Sequence, residues 1–306
     1  MRYAIVGSGG IGAYYGAKLA RAKKEVHFLF HSDYQYVIDH GLQINSYEGN
    51  FHLDRVNAYH DTTNMPKVDC VIVAIKTVKE KILKNLLPPL LSKDTLVLLI
   101  QNGIGVEADV QRMFPETALA AGVALICTAK TKPGVVDHLD LGHINIGNYS
   151  CKDNKVKELV KDFTEADLKA DEADYLEARW KKAVWNMPFN GMTVALNTQT
   201  DKLVAFKPTE KLIHEQMCEV IKAAQILGVK NIDMNYADQI IASTRLMTPY
   251  SPSMKLDYDF HRPMEIDYLY THPIAEARAA GYEMKRLEML EAELLFKEKE
   301  YILNNK

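Results

Sequence analysis

The run WKKAVWNMPFN, Trp180 to Asn190, carries a lysine and two asparagines at Lys182, Asn186 and Asn190. These positions are i, i+4 and i+8. On a helix each step of four residues drifts only about 40° around the axis, so the three side chains share one stripe. Ala183, Val184, Trp185, Met187 and Phe189 cover the other faces, which is the pattern of a buried helix. A buried ammonium and two amides in one line need hydrogen-bonding partners or a ligand. The ammonium can stabilise charge developing on a substrate oxygen and give it a proton. Neutral amides can orient the substrate without competing for that proton. Pro188 lies in the same run and removes one backbone hydrogen bond, so a kink or a displaced carbonyl is expected beside Val184.

A second chemical motif stands near the start. GSGGIG, Gly7 to Gly12, matches G-x-G-x-x-G, follows the apolar run Tyr3–Val6 and opens a helical pattern. That context marks a dinucleotide-binding turn. Gly7 permits the tight turn, Gly9 lets backbone approach a pyrophosphate, and Gly12 lets the helix pack close to the strand. Ser8, Gly10 and Ile11 complete the loop at the helix N-terminus, where free N–H groups favour an anion. The next strand-like run, VHFLF, ends at Phe30, and His31 and Ser32 follow where an NAD site would place Asp or Glu. His31 and Ser32 can hydrogen-bond a 2′-phosphate, whereas Asp33 just beyond would repel one. The balance favours NADP(H). Lys76 ends the run VAIK, and Asn102 opens the turn after LVLLI. Both stand at strand carboxyl ends, where open α/β sheets bind ligands. Lys76 there suits cofactor phosphates or a surface role. Asn102 suits the nicotinamide ribose, the substrate or a plain Asn-Gly turn.

The elements that must position these groups divide the chain in two. Strand-like runs at Tyr3–Val6, Val26–Phe30, Cys70–Ile75, Leu96–Ile100, Val123–Cys127 and Ile144–Ile146 alternate with helical patterns. Continuous β-branched runs suit a parallel sheet buried on both faces, and the rhythm argues for a doubly wound fold. From about Thr164 onward no strand is expected. Helical patterns run over Asp174–Leu196, Pro208–Leu227, Tyr236–Leu246, Met264–Ala280 and Lys285–Ile302. The expected fold class is therefore α/β: a Rossmann-type dinucleotide-binding domain over 1–167, then an all-α domain over 168–306 that carries substrate and catalysis.

Composition sets limits. The 306 residues carry a formal net charge of −3, which suggests no nucleic-acid partner. No apolar run is long enough to span a membrane. Cys70, Cys127, Cys151 and Cys218 lie far apart, without metal-ligand spacing, and read as reduced thiols in a cytoplasmic protein. His138, His143, His261 and His272 read as structural. The helical half offers surfaces for a homodimer, although no heptad repeat specifies one.

Several of these motifs converge on one family. The chain resembles the ketopantoate reductases (2-dehydropantoate 2-reductases), which reduce a 2-oxo acid with NADPH. The resemblance is carried by YAIVGSGGIGAYYGAKLA, VAIKT, IQNGIG, PGVVDHLDLGHINIG, RWKKAVWNMPFNGMTVALN and SPSMKLDYDFHRPMEIDYL, the last two being the most specific. It implies that Lys182 is the proton donor to the carbonyl oxygen, Glu265 the active-site glutamate and Ser253 a serine that holds substrate. It also implies that Asn186 and Asn190 line the substrate site and that Asn102 lies near the nicotinamide. His31 stands where the family has an NADP-selecting arginine, YEMKRLEML replaces a Pro- and Asn-containing turn, and Gly191 replaces a frequent proline. Two other readings accompany this one: a related dehydrogenase for another 2-oxo or 3-hydroxy acid, and a non-catalytic NADP(H)-binding sensor.

Overall fold

A computed structural model describes residues 1–152 and 154–304. Contacts divide the chain into two units, Met1–Gln101 with Val106–Tyr175, and Asn102–Gly105 with Leu176–Lys306.

The first unit is built on one sheet. Its elements are β1 (Tyr3–Val6), α1 (Gly10–Arg21), β2 (Val26–Leu29), α2 (Tyr34–His40), β3 (Leu42–Ser46), β4 (Phe51–Leu53), β5 (Asn57–Tyr59), β6 (Cys70–Val73), α3 (Leu83–Leu86), β7 (Leu96–Leu99), α4 (Val106–Met113), β8 (Ala118–Lys132), β9 (Val135–Asn148), α5 (Lys155–Glu165) and β10 (Ala170–Glu172). The strand order is β4-β3-β9-β8-β7-β6-β1-β2-β5, with β10 beside β9. From β5 through β2, β1, β6 and β7 to β8 every pairing is parallel. Every residue of β1, β6 and β7 is buried, which is why these strands are unbroken apolar runs. The chain runs outward from β1 to β2 and β5, then crosses back to β6. The switch point therefore lies between β1 and β6, with the glycine loop at its carboxyl edge.

Two expectations need correction. The runs at Val123–Cys127 and Ile144–Ile146 are only parts of β8 and β9, which form a long antiparallel pair with register shifts. Beyond the parallel core their faces are partly solvated, so polar residues hide their length. The region after Thr164 is not free of strands, because β10 pairs with Ile144–Ile146 of β9. Its residues are exposed or half-exposed, so backbone pairing forms it without any apolar signal.

The second unit is helical: α6 (Tyr175–Ala195), α7 (Thr200–Ala205), α8 (Lys207–Ile226), α9 (Asn235–Leu246), α10 (Ser253–Asp259), a π-helix (Asp267–Thr271), α11 (His272–Ala279) and α12 (Lys285–Asn304). The axis of its core is α6, whose Trp180, Val184, Met187 and Phe189 are buried in one cluster with Met217, Ile221, Leu290 and Leu294. Pro188 lies inside α6 without ending it. The hydroxyls of Tyr270 and Thr193 bond carbonyls on either side of that proline, at Met187 and Phe189. Ile104, from the detached segment Asn102–Gly105, belongs to the same core. Among the described residues the four cysteines form no disulfide, and Cys70 and Cys127 are buried.

Candidate active site

In the helical unit the site begins with the turn Asn102–Gly105. Gly103 has φ +100°, and a Cβ there would come within 2.5 Å of the Tyr268 carbonyl oxygen and Cβ. Only glycine combines that left-handed backbone with so close an approach. The next residue, Ile104, donates its N–H to the Tyr268 carbonyl at 2.9 Å. The turn is thus seated on the π-helix, a backbone form frequent at functional sites. That seating delivers Asn102 to α6, where the Lys182 Nζ donates to Asn102 Oδ1 at 2.7 Å.

The polar stripe of α6 is real, but its members differ in what they do. Lys182 is half-buried, and Asn186 and Asn190 are buried. Lys182 and Asn186 line a cavity of about 10 Å³ with Arg179, Ala183, Gly103, Ile104, Tyr268 and Leu269. That is room for about one water and far below the several hundred Å³ of a ligand pocket. Asn190 is used within the protein: its Nδ2 donates to the Asn186 carbonyl at 2.9 Å, and its Oδ1 accepts from the Met254 N–H at 3.3 Å. It therefore fixes the first turn of α10 and with it the half-buried Ser253. Glu265 is buried, two residues before the π-helix. The residues lining the small cavity do not include Asn190, Ser253 or Glu265. His261 stacks on Tyr301 with centroids 5.3 Å apart, and His272 packs against Tyr268 at 4.4 Å.

Sequence reasoning missed Arg179. It is buried and lines the cavity beside Lys182. The signal was present, since Arg179 stands three residues before Lys182 and extends the same stripe by one turn.

In the sheet unit the glycine loop has the form its motif predicts. A Cβ on Gly12 would lie 2.2 Å from the Gly7 carbonyl oxygen, so α1 meets the turn too closely for any side chain. A Cβ on Gly9 would meet nothing within 4 Å, which leaves open the approach a pyrophosphate needs. Beside it the Ser8 Oγ is buried and makes no hydrogen bond among the described residues. A buried hydroxyl without a partner, next to an open glycine and a helix N-terminus, fits a phosphate group. A Cβ on Gly7 would come within 2.6 Å of the Ile75 N, so the loop abuts the end of β6 just before the exposed Lys76.

At the end of β2, His31 and Ser32 are exposed while Asp33 is buried. Asp33 Oδ1 accepts from the Lys130 Nζ and from the Ser32 Oγ, each at 2.8 Å, and Oδ2 accepts from the Gly134 N–H at 3.3 Å. Burial pushes the Asp33 carboxyl up, but the bonds from Lys130, Ser32 and Gly134 outweigh it and hold the group below its usual range. The negative charge that seemed set against a 2′-phosphate is therefore matched by Lys130. Among the described residues no group of three or more His, Cys, Asp or Glu could hold a metal ion, and no helix is long and apolar enough to cross a membrane.

Comparison with known proteins adds the lineage. The family model "Ketopantoate reductase PanE/ApbA" matches residues 3–150, and "Ketopantoate reductase PanE/ApbA C terminal" matches 174–298. A 2-dehydropantoate 2-reductase of Nostoc sp. is 39% identical over 302 residues, spanning 96% of this chain and 94% of the relative. The crystal structure of 2-dehydropantoate 2-reductase from Geobacter metallireducens superposes with TM-score 0.93 at 35% identity, covering 96% of this chain and 99% of the other. That from Methylococcus capsulatus superposes with TM-score 0.89 at 29% identity, covering 98% of each.

Proposed function

Because this chain belongs to the ketopantoate reductase family of oxidoreductases, we propose that it reduces 2-dehydropantoate to pantoate with NADPH, Lys182 giving the proton. The observation that carries this reading is the bond from the Lys182 Nζ to Asn102 Oδ1 at 2.7 Å. An ammonium has three N–H donors, and an amide oxygen can hold one without taking its proton. Asn102 thus aims the lysine without competing for its proton.

Reduction of a 2-oxo acid needs a hydride at C2, a proton at the oxygen and a hold on the carboxylate. The nicotinamide dinucleotide, when bound, supplies the hydride. Gly7, Ser8, Gly9, Gly10, Ile11 and Gly12 hold its phosphates through backbone N–H groups and the Ser8 hydroxyl, with Lys76 nearby. His31 and Ser32 face its 2′-phosphate. On the helical unit Lys182 stabilises the developing alkoxide and protonates it. Asn186 orients the substrate from the next turn of α6. Ser253 and Glu265 hold its polar groups, with Asn190 fixing the helix start on which Ser253 sits.

The test is NADPH oxidation measured with 2-dehydropantoate and a panel of other 2-oxo acids. Lys182→Ala is expected to lower kcat by about 10²–10⁴-fold, the usual worth of a positioned general acid. Near-normal turnover by that variant would remove Lys182 from the mechanism. Faster turnover of another 2-oxo acid would reassign the substrate and keep the chemistry.

A further inference from the structure

We propose that His60 works with His31 to recognise the 2′-phosphate of the dinucleotide, as an imidazole pair in which the ring of His60 supplies a hydrogen-bond donor. The proposal rests on the NADPH reading above and deepens it.

Strand pairing brings the two residues together. β2 and β5 are parallel neighbours with Leu29 opposite Tyr59, and the Phe30 N–H donates to the Tyr59 carbonyl at 2.8 Å. The residues that follow, His31 and His60, therefore leave the sheet side by side at its carboxyl edge. That is where the adenosine ribose of a dinucleotide docks. Both are exposed, and their ring centroids are 5.8 Å apart.

The local bonds set the tautomer of His60. Its Nδ1 lies 3.3 Å from the Phe30 carbonyl oxygen, and a carbonyl only accepts. Nδ1 therefore carries the hydrogen, and Nε2 is the nitrogen that takes up a proton. Once protonated, Nε2 becomes a charged donor for a phosphate oxygen.

The neighbouring groups leave the pair free to serve an anion. Tyr34 of α2 packs its ring 5.7 Å from that of His60. Asp33 is held by Lys130 of β8, by Ser32 and by Gly134. Asp61 accepts from the Thr63 N–H at 2.8 Å and from the Thr63 Oγ1 at 2.9 Å, so it caps the following turn. His27 on β2 has both ring nitrogens bonded, to the Tyr59 hydroxyl and to Glu25, each at 3.0 Å. Asp33 and Asp61 thus both serve internal bonds. Two imidazolium rings this close repel each other, and a phosphate dianion relieves that repulsion.

The experiment is calorimetric measurement of dissociation constants for NADPH and NADH, and for 2′,5′-ADP and 5′-ADP as fragments. Wild type is compared with His60→Ala and with His60→Asn, the latter keeping a donor for the Phe30 carbonyl but no nitrogen in the place of Nε2. Both variants are expected to lower the NADPH-over-NADH affinity ratio about tenfold, the worth of one charged hydrogen bond. NADH affinity itself should change by less than about twofold. If His60→Asn keeps the wild-type ratio, the role of His60 is overturned and the NADPH reading stands. If the wild type binds NADH as tightly as NADPH, the NADPH reading falls and the imidazole pair falls with it.

Discussion

The bond between Lys182 and Asn102 joins side chains 80 residues apart in sequence. Spacing on one helix exposed Lys182, Asn186 and Asn190 as a stripe, because helical periodicity is local. What each amide bonds is not local. Asn190 reaches a backbone N–H 64 residues away, which no periodicity announces. Arg179 escaped notice because it stands outside the apolar run that framed the stripe. Ser8 offers a test at this scale. Its buried hydroxyl has no partner among the described residues, so Ser8→Ala removes an unmet desolvation cost. The dinucleotide-free protein should hold or gain stability, by up to about 1 kcal/mol, while NADPH binds several-fold more weakly. Denaturant titrations with and without NADPH measure both signs. A loss of stability without the cofactor would mean that the hydroxyl already has a partner.

Elements were readable in proportion to their burial. β1, β6 and β7 are wholly buried and stand out as apolar runs, as does α6. β3, β4 and β5 are short and half-exposed, and went unseen. The segment read as one helix over Met264–Ala280 is continuously helical over 266–279, its first turns being the π-helix that leads directly into α11, with Pro273 in the first turn of the latter. Composition cannot tell an i→i+5 turn from an i→i+4 turn. The junction of β3 with β9 carries a pH prediction. His138 accepts a hydrogen bond from the Ser46 hydroxyl at its Nδ1, 2.9 Å away, and its Nε2–H donates to the Leu141 carbonyl at 3.0 Å. Burial pushes its pKa below the ordinary histidine value. The folded state thus prefers the neutral ring. The stability it contributes is present above the unfolded pKa of about 6.5 and is lost as pH falls through the depressed folded value. Unfolding free energies measured from about pH 7.5 down to 5 should decline. His138→Gln should lower stability at pH 7.5 and flatten that decline. Parallel curves for the two proteins would exclude His138 as the source.

At the scale of the whole molecule, covalent order and structural membership disagree at one place. Asn102–Gly105 is flanked on both sides by residues of the sheet unit, yet its contacts are with the helical unit. Ile104 fills part of that unit's core, and the Ile104 N–H satisfies the Tyr268 carbonyl. A fragment beginning at Asp174 contains the helices of the helical unit, α6 to α12, but lacks this piece. It should bind a hydrophobic dye and melt without a sharp transition, the behaviour of a loosely packed intermediate. A cooperative melt for the fragment alone would show that the turn is dispensable. Exchanging the helical halves of two relatives at a single junction would likewise give each hybrid one parent's helices and the other parent's turn. A workable chimera therefore needs two splices, and recombination within this lineage has to carry four residues across with the helices they complete.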